Sequence, residues 1–107
     1  MINSGYGVVL VTVPNQTEGR AIAKQLIEAK LAACVNLLPI DSIYLWQGQI
    51  ESDQEYQLII KTDLNQFGQL ADKIKTLHSY EVPEIIALPI VAGSRSYLDW
   101  LSKSLQN

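Results

Sequence analysis

The stretch His78-Ser-Tyr-Glu-Val-Pro-Glu84 gathers an imidazole, a phenol and two carboxylates, and it holds the only histidine of the chain. A neutral imidazole can ligate a metal ion, and Glu81 and Glu84 place carboxylate oxygens beside it. Tight metal binding needs several ligands, so His78 would act with Glu84, with Glu81, or with copies of itself from neighbouring subunits. The same residues have a plainer reading. His78 closes a helical pattern, where an imidazole can bond the free carbonyls of the helix end. Pro83 disfavours helix at Val82 and begins an extended segment, and Glu84 at the strand entrance can bond loop amides.

Few other groups suggest chemistry. Cys34 lies between Ala33 and Val35, and apolar surroundings raise a thiol's pKa and make it inert, so it reads as structural. A single cysteine excludes an internal disulfide and fits a reducing compartment, hence the cytoplasm. No Ser, His and Asp arrangement stands at motif spacing, and no glycine-rich phosphate loop occurs. Gly5-Tyr-Gly7 precedes its strand, the wrong side for a dinucleotide fingerprint. A non-enzymatic protein is expected.

Bulk properties narrow the classes further. A chain of 107 residues implies one domain, 1–107. The net charge is −3 and no basic run occurs, which argues against a nucleic-acid partner. Charged residues make up only 18%, leaving surface that is neither core nor strongly solvated, a first sign of subunit contacts. The start of the chain has no basic leader pattern. The run Val8–Val13 is far short of a membrane span, so no membrane partner is expected.

The elements that must position these groups follow in order. Gly5 to Pro14 is rich in β-branched residues and predicts a central strand buried on both faces. Asn15 with Glu18 has capping-box spacing, and Ile22, Ala23, Leu26, Ile27 and Leu31 predict a helix ending near Lys30. Residues 33–47 are extended, Gly48 marks a turn, and Gln49 to Thr62 returns as a long strand. The polar run Glu51–Glu55 should project into solvent. Tyr56, Leu58, Ile60 and Thr62 should face the core, with Ile59 and Lys61 partly covered on the other side. Asp63 with Gln66 can cap a helix striped by Phe67, Leu70, Ala71, Ile74 and Leu77. A strand over Ile85–Val91 follows, then a last helix with Ser96 and Asp99 as its cap and Tyr97, Leu98, Leu101 and Leu105 on its apolar face.

This order, β-α-β-β-α-β with a terminal helix, is the ferredoxin-like α+β arrangement, with helices on one face of an antiparallel sheet. Proline cannot donate to a ladder and belongs at edges. Pro39 and Pro89 fall in the second and fourth strands, which this topology puts at the edges. Both edges are apolar, and an uncovered edge of that kind aggregates. The hairpin of the second and third strands is also long for one small domain. A closed homo-oligomer with strands paired between subunits resolves both points. Tyr44 and Trp46, on one face of the second strand, are candidate contacts, as are Leu88 and Ile90 on the fourth.

Ala32-Ala-Cys-Val-Asn36, Tyr44-Leu-Trp-Gln-Gly48, Lys61-Thr62, His78–Glu84 and Tyr97-Leu-Asp-Trp-Leu101 together resemble the CutA family of divalent-cation tolerance proteins, from about Val8 to Leu105. The resemblance implies a homotrimer of ferredoxin-like subunits, similar in architecture to PII-type signalling proteins. It implies tolerance to, or weak binding of, Cu(II) or another divalent ion, with no resident cofactor required. Some members hold copper with a Cys before Thr-x-Pro and a pair of adjacent histidines. The matching positions here are Val11 and Leu77 beside His78, so one of the three ligands is kept.

The resemblance also makes a cleft between subunits, where Cys34, Trp46, Lys61 and Tyr80 could meet, a candidate small-ligand site. Glu55 and Lys61 share a face of the third strand but lie about 20 Å apart along it, at about 3.3 Å per residue, so each needs another partner if covered. The alternative to metal tolerance is a PII-like sensor or scaffold that binds a small anionic metabolite in that cleft.

Overall fold

The computed structural model describes residues 5–106, so the leader reading at residues 1–4 lies outside the described part. The elements are β1 (Tyr6–Val13), α1 (Gln16–Glu28), β2 (Cys34–Trp46), β3 (Gln49–Asp63), α2 (Phe67–Leu77), β4 (Ile85–Pro89) and α3 (Arg95–Ser104). The sheet is antiparallel with order β2-β3-β1-β4, which is the ferredoxin-like topology. The two proline-bearing strands are the edges, as the missing N–H donors require.

One core fills the space between the sheet and two helices. Val9, Val11 and Val13 of β1 and Leu58 and Ile60 of β3 meet Ile22 and Leu26 of α1 and Leu70 and Ile74 of α2. Gly19 lets α1 settle on the sheet. A Cβ there would stand 3.0 Å from Leu37 and 3.1 Å from Val13. Burial along β1 alternates, so its outward residues are only half-buried and the expectation of burial on both faces is corrected. Both helices of the core cluster lie on one side, and α3, with Leu98 and Leu101 buried, packs against β3 outside that cluster.

The caps follow local geometry. Asn15 accepts from the Glu18 N–H at 2.8 Å and starts α1. The helix ends at Glu28, and Lys30 takes a left-handed φ of 61° that sends the chain toward β2. Asp63 accepts from the Asn65 N–H at 2.9 Å, so it caps a 3-10 turn, Leu64–Gln66, that leads into α2. The cap of α3 is Ser94, whose Oγ accepts from the Tyr97 N–H at 3.3 Å. Ser96, the expected cap, lies inside the first turn. Strand pairing of β4 stops at Pro89, and the Ile90 N–H donates to the Tyr6 carbonyl at 2.9 Å.

The β2–β3 hairpin turns over Gln47 and Gly48, with φ of 51° and 79°, between the paired residues Trp46 and Gln49. Positive φ at both central positions is the tight turn that matches strand twist. The ladder runs from Cys34–Lys61 to this turn and outlasts the core. The molecule measures 45 × 25 × 22 Å, with a radius of gyration of 14.5 Å. A compact domain of this length has about 13 Å. The excess is the projecting hairpin.

Candidate functional site

His78 sits where α2 ends. Its backbone N–H still bonds the Ile74 carbonyl, and its extended backbone turns the chain away. The imidazole crosses to β1, with Nε2 2.7 Å from the Thr12 carbonyl oxygen. A carbonyl only accepts, so Nε2 carries the proton there. Nδ1 accepts the Tyr80 N–H at 3.0 Å, which agrees with that assignment. The partner carbonyl therefore belongs to β1, and the expected bond to the helix's own free carbonyls is not formed. The ring is shut off from solvent, with Glu18 Oε2 3.5 Å from Nδ1. Glu18 also accepts from the backbone N–H and the hydroxyl of Ser79, both at 3.0 Å. His78 and Glu18 thus pin the start of the loop onto β1 and α1.

The pinned loop delivers Tyr80 to the sheet. Its ring lies 4.9 Å from the His78 ring. Its hydroxyl donates to Glu55 Oε2 at 2.5 Å. Glu55 is 6% exposed, which corrects the expectation that residues 51–55 all project into solvent. A buried carboxylate needs a donor, and Tyr80 is that donor. Burial, and then the bond to Glu55, holds the Tyr80 phenol well above its ordinary pKa. Farther along the hairpin, Tyr44 donates to Asp53. That bond, followed by burial and the surrounding carboxylates, pushes Tyr44 up to about 12. Glu84 accepts from Thr12 Oγ1 at 3.2 Å and from Gln57 Nε2 at 3.4 Å. Its partners are strand side chains, where loop amides were expected.

These groups border a cavity of about 610 Å³ between the outer half of the hairpin and the loop. Asp41, Glu55, Glu81 and Glu84 give it carboxylates, and Tyr44, Trp46 and Tyr80 give it aromatic walls. Among the described residues, no three His, Cys, Asp or Glu side chains are grouped so as to hold one metal ion.

The four residues expected in a cleft between subunits fall into two pairs within one copy. Cys34 and Lys61 are ladder partners, with Lys61 Nζ 3.9 Å from Cys34 Sγ. Cys34 is half-buried, and beside an ammonium its setting is less apolar than its sequence neighbours suggested. Tyr97 of α3 joins this pair, its phenol pushed up by burial and then by the neighbouring Cys34. Trp46 and Tyr80 line the cavity instead. Cys34 and Trp46 are the two ends of β2, about 40 Å apart at about 3.3 Å per residue. Lys61 and Glu55 therefore each have a partner of their own.

Of the candidate contact residues, Tyr44, Trp46 and Leu88 are exposed, and Ile90 is half-buried. Sequence reasoning missed the roles of Glu18, Gln57 and Tyr97. Each acts through a partner far away in the chain, which no local spacing signals.

A family model described as CutA1 divalent ion tolerance protein matches residues 7–104. The divalent-cation tolerance protein CutA of Thermus thermophilus is 53% identical over 98 residues, covering 91% of this chain and 95% of that protein. The chloroplastic CutA protein of Arabidopsis thaliana is 48% identical, and the match covers 94% of this chain but 56% of the plant protein. The solved structure of the periplasmic divalent cation tolerance protein CutA from Archaeoglobus fulgidus superposes with a TM-score of 0.93 at 40% identity, covering 94% of this chain and 99% of that one. Among the described residues, no helix is long and apolar enough to cross a membrane. With the fold and nearly the whole length in agreement, the chain belongs to the CutA1 family of divalent-ion tolerance proteins.

Proposed function

We propose that this chain serves divalent-cation tolerance as a non-enzymatic homotrimer that binds Cu(II) or a related ion weakly, between copies and not within one. The observation that carries this reading is the projecting hairpin. Ile43, Leu45 and Ile50 are 75%, 69% and 79% exposed, on strands too well formed to be frayed ends. Apolar strands left open in this way call for a partner surface, and a second copy of the chain is the simplest one. Within one copy, His78 has both ring nitrogens engaged and Glu84 is held by two donors. Ligands supplied by more than one copy meet the need for several donors at one ion. The lone thiol supports a reducing, cytoplasmic setting.

A second reading, an anionic metabolite bound between copies, draws on Lys61. Its ammonium has only the Cys34 thiol as a hydrogen-bond partner among the described residues. Calorimetry separates the two. Titration with Cu(II) and Zn(II) should give weak, saturable heats that vanish in a variant unable to assemble. His78→Ala should leave the affinity unchanged. Heats from a panel of anionic metabolites, with none from either metal, would favour the second reading.

A further inference from the structure

We infer that Cys34 and Lys61 form an acyl-transfer pair, in which the thiol takes an acyl group from a thioester and passes it to the lysine amine. The ladder register sets the two residues opposite each other on β2 and β3, with Lys61 Nζ 3.9 Å from Cys34 Sγ. The pair matters here, not the thiol alone. Both side chains are half-buried, so a small acyl group can reach them.

The pair stands at the helix end of the hairpin, where the Ala33 N–H donates to the Lys61 carbonyl at 2.9 Å and fixes the start of β2. Ile43, Leu45 and Ile50, the open face that a second copy would cover, lie toward the other end of the same ladder. Among the described residues, no carboxylate pairs with the Lys61 ammonium, and its hydrogen-bond partner is the thiol. Nothing else holds the nitrogen away from the sulfur.

The chemistry follows from the order in which two such groups react. The thiolate is the nucleophilic form of cysteine, whereas an ammonium has no lone pair to offer, so the first attack falls to Cys34. Its sulfur adds to the thioester carbonyl, the donor's own C–S bond breaks, and the departing thiolate takes a proton from Lys61. The acyl carbon is then one bond from Sγ, and a neutral amine faces it. Reacting atoms held about 3–3.5 Å apart are poised to react, and an amine 3.9 Å from Sγ can meet a carbon attached to Sγ at that separation. Nζ adds to the carbon, the C–S bond to Cys34 breaks, and the proton lost by nitrogen goes to sulfur. The products are an amide on Lys61, which removes its charge, and the regenerated thiol. This role is independent of where a divalent ion binds.

Timed incubation of the full chain with acetyl-coenzyme A, read by peptide mass spectrometry, tests it. Lys61 should be acetylated at least about tenfold faster than Lys24 and Lys75, which are exposed on α1 and α2, since the only thiol of the chain lies beside Lys61. Cys34→Ser should bring Lys61 down to the rate of those two. Lys61→Arg keeps a cation beside the thiol but removes the amine, so the acetyl group should stay on Cys34 as a thioester that hydroxylamine releases. Acetylation of Lys61 no faster than that of Lys24 and Lys75 would overturn the inference. So would a Lys61 rate unchanged in Cys34→Ser, or no thioester in Lys61→Arg.

Discussion

The β2–β3 ladder has two ends that share strands, register and residue types, yet only one is covered. At the helix end, Leu58 and Ile60 are fully buried beneath α1 and α2. At the turn end, Ile43, Leu45 and Ile50 are equally apolar and open to water. The difference lies in what stands opposite, and at the turn end no helix of the core cluster does. Apolar content there gains nothing from folding alone. It gains from association, where burial is worth roughly 25 cal/mol per Å².

The largest expected effect sharpens the covered side of this contrast. Leu58→Ala should cost about 3–5 kcal/mol in urea unfolding, the usual range for a fully buried leucine. Its partners are α1 and β1 residues of the same copy. Leu45→Ala removes a comparable side chain at the other end. Its cost should grow with protein concentration, because association stabilises by mass action. Equal, concentration-independent costs for both variants would break the contrast.

Between the two ends lies the Tyr80–Glu55 bond. Tyr80→Phe leaves Glu55 without a donor, and it should cost about 1–2 kcal/mol at neutral pH. Tyr80→Phe should also open the loop, read as faster amide exchange at residues 79–84. Unchanged stability and exchange would mean that the loop is held by His78 and Glu18 alone.

Asn15→Ala should cost about 1 kcal/mol, the usual price of a lost helix cap. Its effect belongs wholly to the covered side and should not vary with concentration. The pH dependence is the smallest effect, and it reports on the projecting side. Tyr44 has a folded pKa raised from 10.0 to about 12 by Asp53. The folded state then binds its proton more tightly, so this stabilisation is complete below pH 10 and lost as the pH rises through about 12. Tyr80, raised by burial and Glu55, adds to the same slope. The urea midpoint should fall over that window, and Tyr44→Phe should flatten part of the fall.

Periodicity carried the helical stripes into the structure: Leu70, Ala71 and Ile74 are buried as α2 packs on the sheet. Pro39 and Pro89 marked the edges because a missing donor has one physical meaning wherever it occurs. The cap of α3 was misplaced by two residues because several serines there offer a side-chain acceptor. Only the backbone geometry selects Ser94. The candidate site was legible as a loop and not as a network. Glu55 meets Tyr80 across 25 residues, and His78 meets Thr12 across 66. Such pairs are made by tertiary packing, and neither period 2 nor period 3.6 contains them. The Cys34–Lys61 pair is the reverse case. Both were singled out, and the ladder register then set them side by side and far from Trp46.

The central claim is that copies of the chain cover the open end of the hairpin. Light scattering in dilute solution tests it most directly, on the native chain and on an Ile43→Asp, Leu45→Asp, Ile50→Asp variant. The native chain should give a mass about three times the 11.9 kDa of one copy. The variant should fall to a single copy with an unchanged circular-dichroism spectrum. A native chain that runs as a stable monomer at every concentration, with the hairpin open to water, would contradict the account.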